Sequence, residues 1–243
     1  MKTVAIIEAR MTSKRLPGKV LKKVEDKPML KYLIERLDLV KSLDDIVIAT
    51  TNNESDNVIE DFAKQESVKI FRGSENNVLE RVLFAARNNH AQTIVKITGD
   101  CPIIDPNIVE YCIRMYKENN VDFLSNGHIR SYPDGMDVAV FEISSLEKSY
   151  NLTSDKLDLE HVTLHMRKNP SLFAPLYLLA PPELHWPELG LTLDEPDDLK
   201  LITKIIEHFG KERIFTCNDV IQFIKTNKKL LKINEKVLRK GAS

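Results

Sequence analysis

The densest chemistry in the chain lies near its start. The run Glu8-Ala9-Arg10-Met11-Thr12-Ser13-Lys14-Arg15-Leu16-Pro17-Gly18-Lys19 holds four cations, two hydroxyls and a Pro-Gly turn. A polyphosphate needs charge neutralisation and donors that can approach closely, and this loop offers both. It contains neither GxxxxGK[ST] nor GxGxxG, so it is not a P-loop or a dinucleotide fingerprint. Two aspartates complete the set. Asp100 follows the strand-like segment Ile94–Ile97 in Thr98-Gly99-Asp100-Cys101-Pro102, and Asp194 follows Leu191-Thr192-Leu193. A carboxylate at a strand's carboxyl end can reach a divalent cation above the sheet, with phosphate oxygens and water completing its octahedron. Each aspartate also has a plainer reading. Asp100 can bond its own backbone in a turn, and Asp194, before Glu195-Pro196, can cap a helix.

Three further segments are more polar than folding alone requires. Phe71-Arg72-Gly73-Ser74-Glu75-Asn76-Asn77 reads as a strand end and a helix start whose amides can read a base. Ser131-Tyr132-Pro133-Asp134-Gly135-Met136-Asp137 places Asp134 in a turn and Asp137 at a strand start, with Arg130 and His128 as nearby cation candidates. Glu160-His161-Val162-Thr163 lies on an expected helix.

The elements that position these residues alternate. Strands are expected at Thr3–Ile7, Ile46–Ala49, Val68–Phe71 and Ile94–Ile97, with helices over 28–40, 54–65, 76–89 and 106–119 between and after them. Repeated βα units imply a parallel sheet with helices on both faces. After about residue 120 the rhythm changes. Val121–Leu124, Met136–Phe141, Leu172–Leu179 and Leu191–Leu193 read as strands, and 156–168, 196–209 and 218–229 as helices. No flexible linker divides the halves, so residues 1–243 read as a single α/β domain. In open sheets of this kind ligands bind beyond the carboxyl ends of the strands, where the loop at 8–19 should lie.

Composition bounds the answer. The chain has 243 residues, 42% hydrophobic and 29% charged, with a formal net charge of −1. That excludes collagen, coiled coil and wholesale disorder. Cys101, Cys112 and Cys217 form no CxxC pair, so neither a disulfide framework nor a zinc cluster is implied. No apolar run approaches the ~20 residues of a membrane span. The start does not read as a signal peptide, because charges resume at Glu8 and Arg10, and a cytoplasmic protein is expected. Residues 225–243 carry seven cations against Glu235, a net of +6. Without interleaved aromatics this reads as a solvated basic tail or helix rather than a nucleic-acid contact.

Taken in order, IIEARMTSKRLPGK, DIVIATTNN, VKIFRGSENNVLERV, VKITGDCPIIDP, YPDGMDVAVF, EHVTLHM and LTLDEPDDLKLI resemble the SpsF-like cytidylyltransferases. These are relatives of the CMP-Kdo and CMP-acylneuraminate synthetases. The resemblance implies a Rossmann-like nucleotide-diphospho-sugar transferase fold with a mostly parallel mixed sheet. It also implies a CTP- and Mg²⁺-dependent enzyme that activates a sugar acceptor for polysaccharide synthesis. By position, Arg10 and Lys19 would hold the triphosphate with help from Arg15. Asp100 and Asp194 would be the metal carboxylates, with Asp100 also at the nucleotide. Ala9, Ser13 and Arg72 would lie near the nucleoside. Asp134, Asp137, Glu160 and His161 would line the acceptor side. The family's relatives are often dimers, so a homodimer is expected.

Departures are local. The family loop usually reads QARMGSTRLPGK, whereas this chain has Glu8, Thr12 and Lys14. Leu159 stands where the family often has Arg. The main expectation is CMP transfer to a 3-deoxy-ulosonic acid, with a sugar 1-phosphate as the alternative acceptor. A non-catalytic nucleotide sensor is the competing class. A nicotinamide oxidoreductase is disfavoured by the absent glycine fingerprint.

Overall fold

The computed structural model describes residues 1–239. Its centre is a seven-stranded sheet built on β1 (Thr3–Glu8). Beside β1 on one side lie β4 (Asp45–Thr51) and then β5 (Lys69–Gly73). On the other side lie β6 (Thr93–Thr98), β8 (Ala139–Glu142), β7 (Phe123–Ser125) and β9 (Pro175–Tyr177). Six strands run the same way and β8 runs against them. A small hairpin, β2 (Lys23–Val24) and β3 (Lys27–Pro28), stands apart. Glu25 and Asp26 both take positive φ at its turn, the backbone a two-residue hairpin needs.

Alternation along the strands feeds two cores. Ala5, Ile7, Ile48, Val95 and Ile97 face one layer of helices: α1 (Met29–Leu37), α2 (Asn57–Gln65), α4 (Pro106–Lys117), α8 (Pro196–Phe209) and α9 (Cys217–Thr226). Val4, Ile6, Val47, Ala49 and Ile94 face the other, made of α3 (Val78–Asn88), α5 (Ile143–Leu152) and the neighbouring Met166 and Phe173. Both faces being covered explains why β1 reads as a continuous apolar run, while β6 is interrupted only by Lys96, which pairs with Glu8. The chain winds from β1 to β4 and β5 on one side, then crosses by α3 to β6 on the other. The gap between β1 and β6 is therefore the point where the winding reverses.

Several expectations need correction. The helix foreseen over 156–168 is two short ones, α6 (Lys156–Glu160) and α7 (Leu164–Lys168), separated by a turn in which the Leu164 N–H donates to the His161 carbonyl. Leu191–Leu193 is extended but joins no strand. Its N–H groups donate instead to the carbonyls of Asp134 and Asp100, at 2.6 and 2.8 Å. The strand foreseen over Leu172–Leu179 shortens to Pro175–Tyr177. Helix α5 was not foreseen. Its serines dilute the apolar period, and Ser145 and Ser149 are buried beside Leu146. In the basic C-terminal segment Lys225, Lys228, Lys229, Lys232 and Lys236 are exposed, as a solvated tail requires, whereas Arg239 packs back on the buried Asp198. Lys240 and the three residues after it lie outside the described residues.

Candidate active site

The loop after β1 is closed by its own backbone. Gly18 takes φ +68°, and its N–H donates to the Met11 carbonyl at 3.0 Å. A left-handed residue is least costly as glycine. That turn starts a short 3-10 helix, Lys19–Leu21, which buries Val20 and aims the Lys19 side chain over the sheet. The loop after β6 is drawn to β1 by a 2.8 Å bond from the Gly99 N–H to the Glu8 carbonyl. A Cβ on Gly99 would stand 2.9 Å from that same oxygen, so the approach needs glycine. Asp100 is thereby fixed beside the loop of β1.

Asp194 arrives from far along the chain. The Leu193–Asp100 backbone bond places it, and α8 leaves its carboxylate free. The helix is capped by Glu195 and Asp198 in a reciprocal box, with Pro196 in the first turn. The reading of Asp194 as the cap is thus corrected by one residue. Lys19 Nζ lies 2.7 Å from Asp100 Oδ2 and 2.9 Å from Asp194 Oδ1. Arg15 adds a 3.1 Å ion pair to Asp194 and one of 3.2 Å to Glu195. Burial works against ionising both Lys19 and Asp100, yet their mutual attraction outweighs it. The Lys19 pKa is raised above 10.5 and the Asp100 pKa is held below 3.8.

The rest of the expected nucleotide side divides. Arg10 is largely exposed and reaches Glu75 at 3.4 Å, and Thr12 and Asn53 bind the same carboxylate at 2.6 Å each. Ala9 is buried at the end of β1, with its N–H on the Ala49 carbonyl. Ser13 Oγ accepts from the Leu16 N–H at 3.4 Å, which helps form the turn. Arg72 has its guanidinium engaged by the Thr51 and Asn53 carbonyls, Asn57 and Glu60. Arg72 therefore braces the loop after β4.

On the acceptor side, Arg130 bridges Asp134 and Asp137 at 3.1 Å each. Burial pushes the Asp137 carboxyl up to about 6, against the pull of Arg130 and with help from Asp134. Glu160 and His161 are exposed where α6 ends, and among the described residues their side chains make no hydrogen bond or ion pair. They are not brought into contact with Asp134 or Asp137.

Two positioning groups escaped the sequence reading. Asp56 is wholly buried and accepts from the Met11 N–H, Thr50, Thr51 and the Thr51 N–H, tying the loop after β1 to β4. Arg239 binds the buried Asp198 at 2.7 Å and Thr192 at 3.1 Å. Neither has a local sequence signal, because each partner lies far along the chain. Glu8, the departure within the loop, sits 3.4 Å from Lys96 on the neighbouring strand.

The donor set suits a divalent cation held mainly by its substrate. Two carboxylates converge on one positive charge, and among the described residues no group of three or more His, Cys, Asp or Glu forms a closed metal cage. A magnesium ion bound by one or two carboxylates, with phosphates and waters, asks for no more.

A doubly wound sheet with a cationic loop and a strand-end carboxylate at its reversal point defines a nucleotide-handling α/β enzyme. The chain belongs to the cytidylyltransferase family, whose model matches residues 4–237. It is 29% identical over 235 residues to the spore coat polysaccharide biosynthesis protein SpsF of Bacillus subtilis, covering 91% of this chain and 93% of that one. It is 33% identical over 112 residues to a 3-deoxy-manno-octulosonate cytidylyltransferase of Solibacter usitatus, covering 46% of this chain and 44% of that one. The solved structure of a cytidylyltransferase from Leptospira borgpetersenii superposes with a TM-score of 0.89 at 33% identity, covering 95% of this chain and 96% of that one. No helix among the described residues is long and apolar enough to cross a membrane.

Proposed function

We propose that this cytidylyltransferase moves CMP from CTP to a 3-deoxy-ulosonic acid and releases pyrophosphate. The observation that carries the reading is Lys19 clasped by Asp100 and Asp194 at the winding reversal, beside the basic loop. The names of the relatives favour the acceptor class.

In the reaction, a hydroxyl oxygen of the acceptor attacks the α-phosphorus in line. The new P–O bond forms as the bond to pyrophosphate breaks, the leaving group takes the electron pair, and the hydroxyl proton goes to solvent. The protein's task is mostly positioning and charge. Arg10, Arg15 and Lys19 hold the triphosphate and offset the charge that builds on pyrophosphate. Asp100 and Asp194 would hold Mg²⁺, which supplies charge neutralisation of the phosphate oxygens. Asp134 and Asp137, anchored by Arg130, face the acceptor hydroxyls. A homodimer in the cytoplasm belongs to the same reading.

The test is pyrophosphate release with Mg²⁺, each of four nucleoside triphosphates, and a panel of ulosonic acids and sugar 1-phosphates. Release with CTP and an ulosonic acid is expected. Release only with a sugar phosphate would replace the acceptor. CTP binding that gains nothing from Mg²⁺, with no release, would favour the sensor.

A further inference from the structure

Arg167 is a cation without an acid. It lies on α7, and the nearby Asp158 is already engaged by Lys168 at 2.8 Å and His165 at 3.1 Å. Among the described residues the Arg167 guanidinium makes one side-chain hydrogen bond, from Nη1 to His128 Nδ1 at 3.2 Å, and its Nε is buried with no partner. Arginine only donates, so His128 Nδ1 accepts, and the ring proton of the neutral imidazole sits on Nε2. Burial, then the charge of Arg167, lowers the His128 pKa below 6.5, which keeps the ring neutral at pH 7. The His128 ring packs on Tyr177 with centroids 4.5 Å apart. A guanidinium with no acidic partner among the described residues, a ring N–H and an aromatic neighbour make a receptor for a planar oxyanion.

Its place in the fold agrees. His128 follows β7 and Tyr177 ends β9, strands parallel to β6, so both emerge on the edge of the sheet that carries Asp100. Gly127 lies against the Asp137 side chain, where an added Cβ would come within 2.7 Å of Cγ. His128 therefore follows directly on the residue that packs against Asp137.

We propose that Arg167, His128 and Tyr177 form the subsite that takes the carboxylate of the acceptor. This rests on the reading of the acceptor as a sugar acid. Arg167 is then a specificity residue: it binds a part of the substrate that does not react.

The experiment uses the full chain with CTP and Mg²⁺, and 3-deoxy-manno-octulosonate and its carboxamide as probes. In the wild type the acid is expected to be preferred over the amide. In Arg167→Gln the KM for the acid rises about ten-fold or more, the acid-over-amide preference disappears, and the CTP affinity stays within about two-fold. Arg167→Lys recovers part of the preference, because charge returns without the fork. An unchanged preference in Arg167→Gln overturns the subsite. A second readout needs no turnover: the Arg167 side-chain ¹⁵N resonance, followed as the acid, the amide and glucose 1-phosphate are titrated. A shift with the acid alone supports the proposal. A shift with none, or with the phosphate only, overturns it. Failure of pyrophosphate release with every ulosonic acid would instead count against the proposed reaction.

Discussion

The backbone N–H of Leu193 donates to the carbonyl of Asp100 at 2.8 Å, and this bond sets Asp194 beside the loops of β1 and β6. Lys19 then spans both carboxylates. The expected consequence is that Asp100 and Asp194 act as one unit. Asp100→Asn and Asp194→Asn should each lower turnover by ~10²-fold or more, and the double variant little further. Steady-state pyrophosphate release across a Mg²⁺ titration checks this. Wild-type turnover in Asp100→Asn would remove it from the metal site.

Lys19 also governs stability. Its charge holds the Asp100 pKa down despite burial, so the pair stabilises the fold above the usual carboxylate range and less as pH falls through it. Lys19→Met should therefore be destabilised at pH 7, by roughly 1–3 kcal/mol, since the carboxylates are partly exposed and Arg15 still pairs with Asp194. The gap to wild type should narrow below about pH 4, where carboxylates protonate. Mg²⁺ should raise the melting temperature of the variant more than that of the wild type, because it replaces the missing charge. Thermal melts at pH 4 and 7, with and without Mg²⁺, read both effects.

Asp137 has the opposite sign. Burial raises its pKa to about 6, so ionisation costs the folded state, and stability is lost as pH rises from about 4 through 6. Asp137→Asn is expected to be more stable than wild type at pH 8 and equal to it at pH 4, by denaturant unfolding. A ¹³C-carboxyl titration of Asp137 with its midpoint near 4 would exclude the effect.

Much of this site was legible because its chemistry is local. The Arg10–Lys19 loop, Asp100 and their place beyond the carboxyl ends of the strands follow from strand-like segments and the residues next to them, whereas the reversal point appears only with the strand order. What escaped depended on distance. Asp56 reaches the loop after β1 only through the fold, and the hold of the Thr51 and Asn53 carbonyls on Arg72 has no local sequence signal. Leu191–Leu193 carries strand-like residues, yet its hydrogen bonds go to two loops.

Gly135 shows how narrowly that segment is seated. It has φ +109°, and a Cβ there would stand 2.7 Å from the Leu191 carbonyl carbon. Gly135→Ala should cost about 1–3 kcal/mol in backbone strain and push Leu191–Leu193 away, weakening Mg²⁺ dependence along with turnover. Gly210 is the control: its φ is +85° but nothing lies within 4 Å of an added Cβ. Gly210→Ala should carry only the backbone cost, about 1–3 kcal/mol, at φ 85° and ψ 142°, and keep wild-type kinetics.

Arg239 closes the same segment from outside. Its guanidinium binds the wholly buried Asp198 at 2.7 Å, which also accepts from Asn234 and from the N–H groups of Asp194 and Glu195. Asp198 keeps those partners when Arg239 is removed, so Arg239→Ala should cost only about 1–2 kcal/mol. Asp198→Ala should cost more, because it breaks the α8 cap and takes the charged acceptor from Arg239 and Asn234, leaving them only Thr192 and the Gly190 carbonyl. If the two act through one contact, adding Arg239→Ala to Asp198→Ala should change stability little, a coupling of roughly 1 kcal/mol or more. Denaturant unfolding of the four proteins completes the cycle. Strict additivity would mean that Arg239 acts elsewhere, through its hydrogen bond to Thr192 rather than through the cap that presents Asp194.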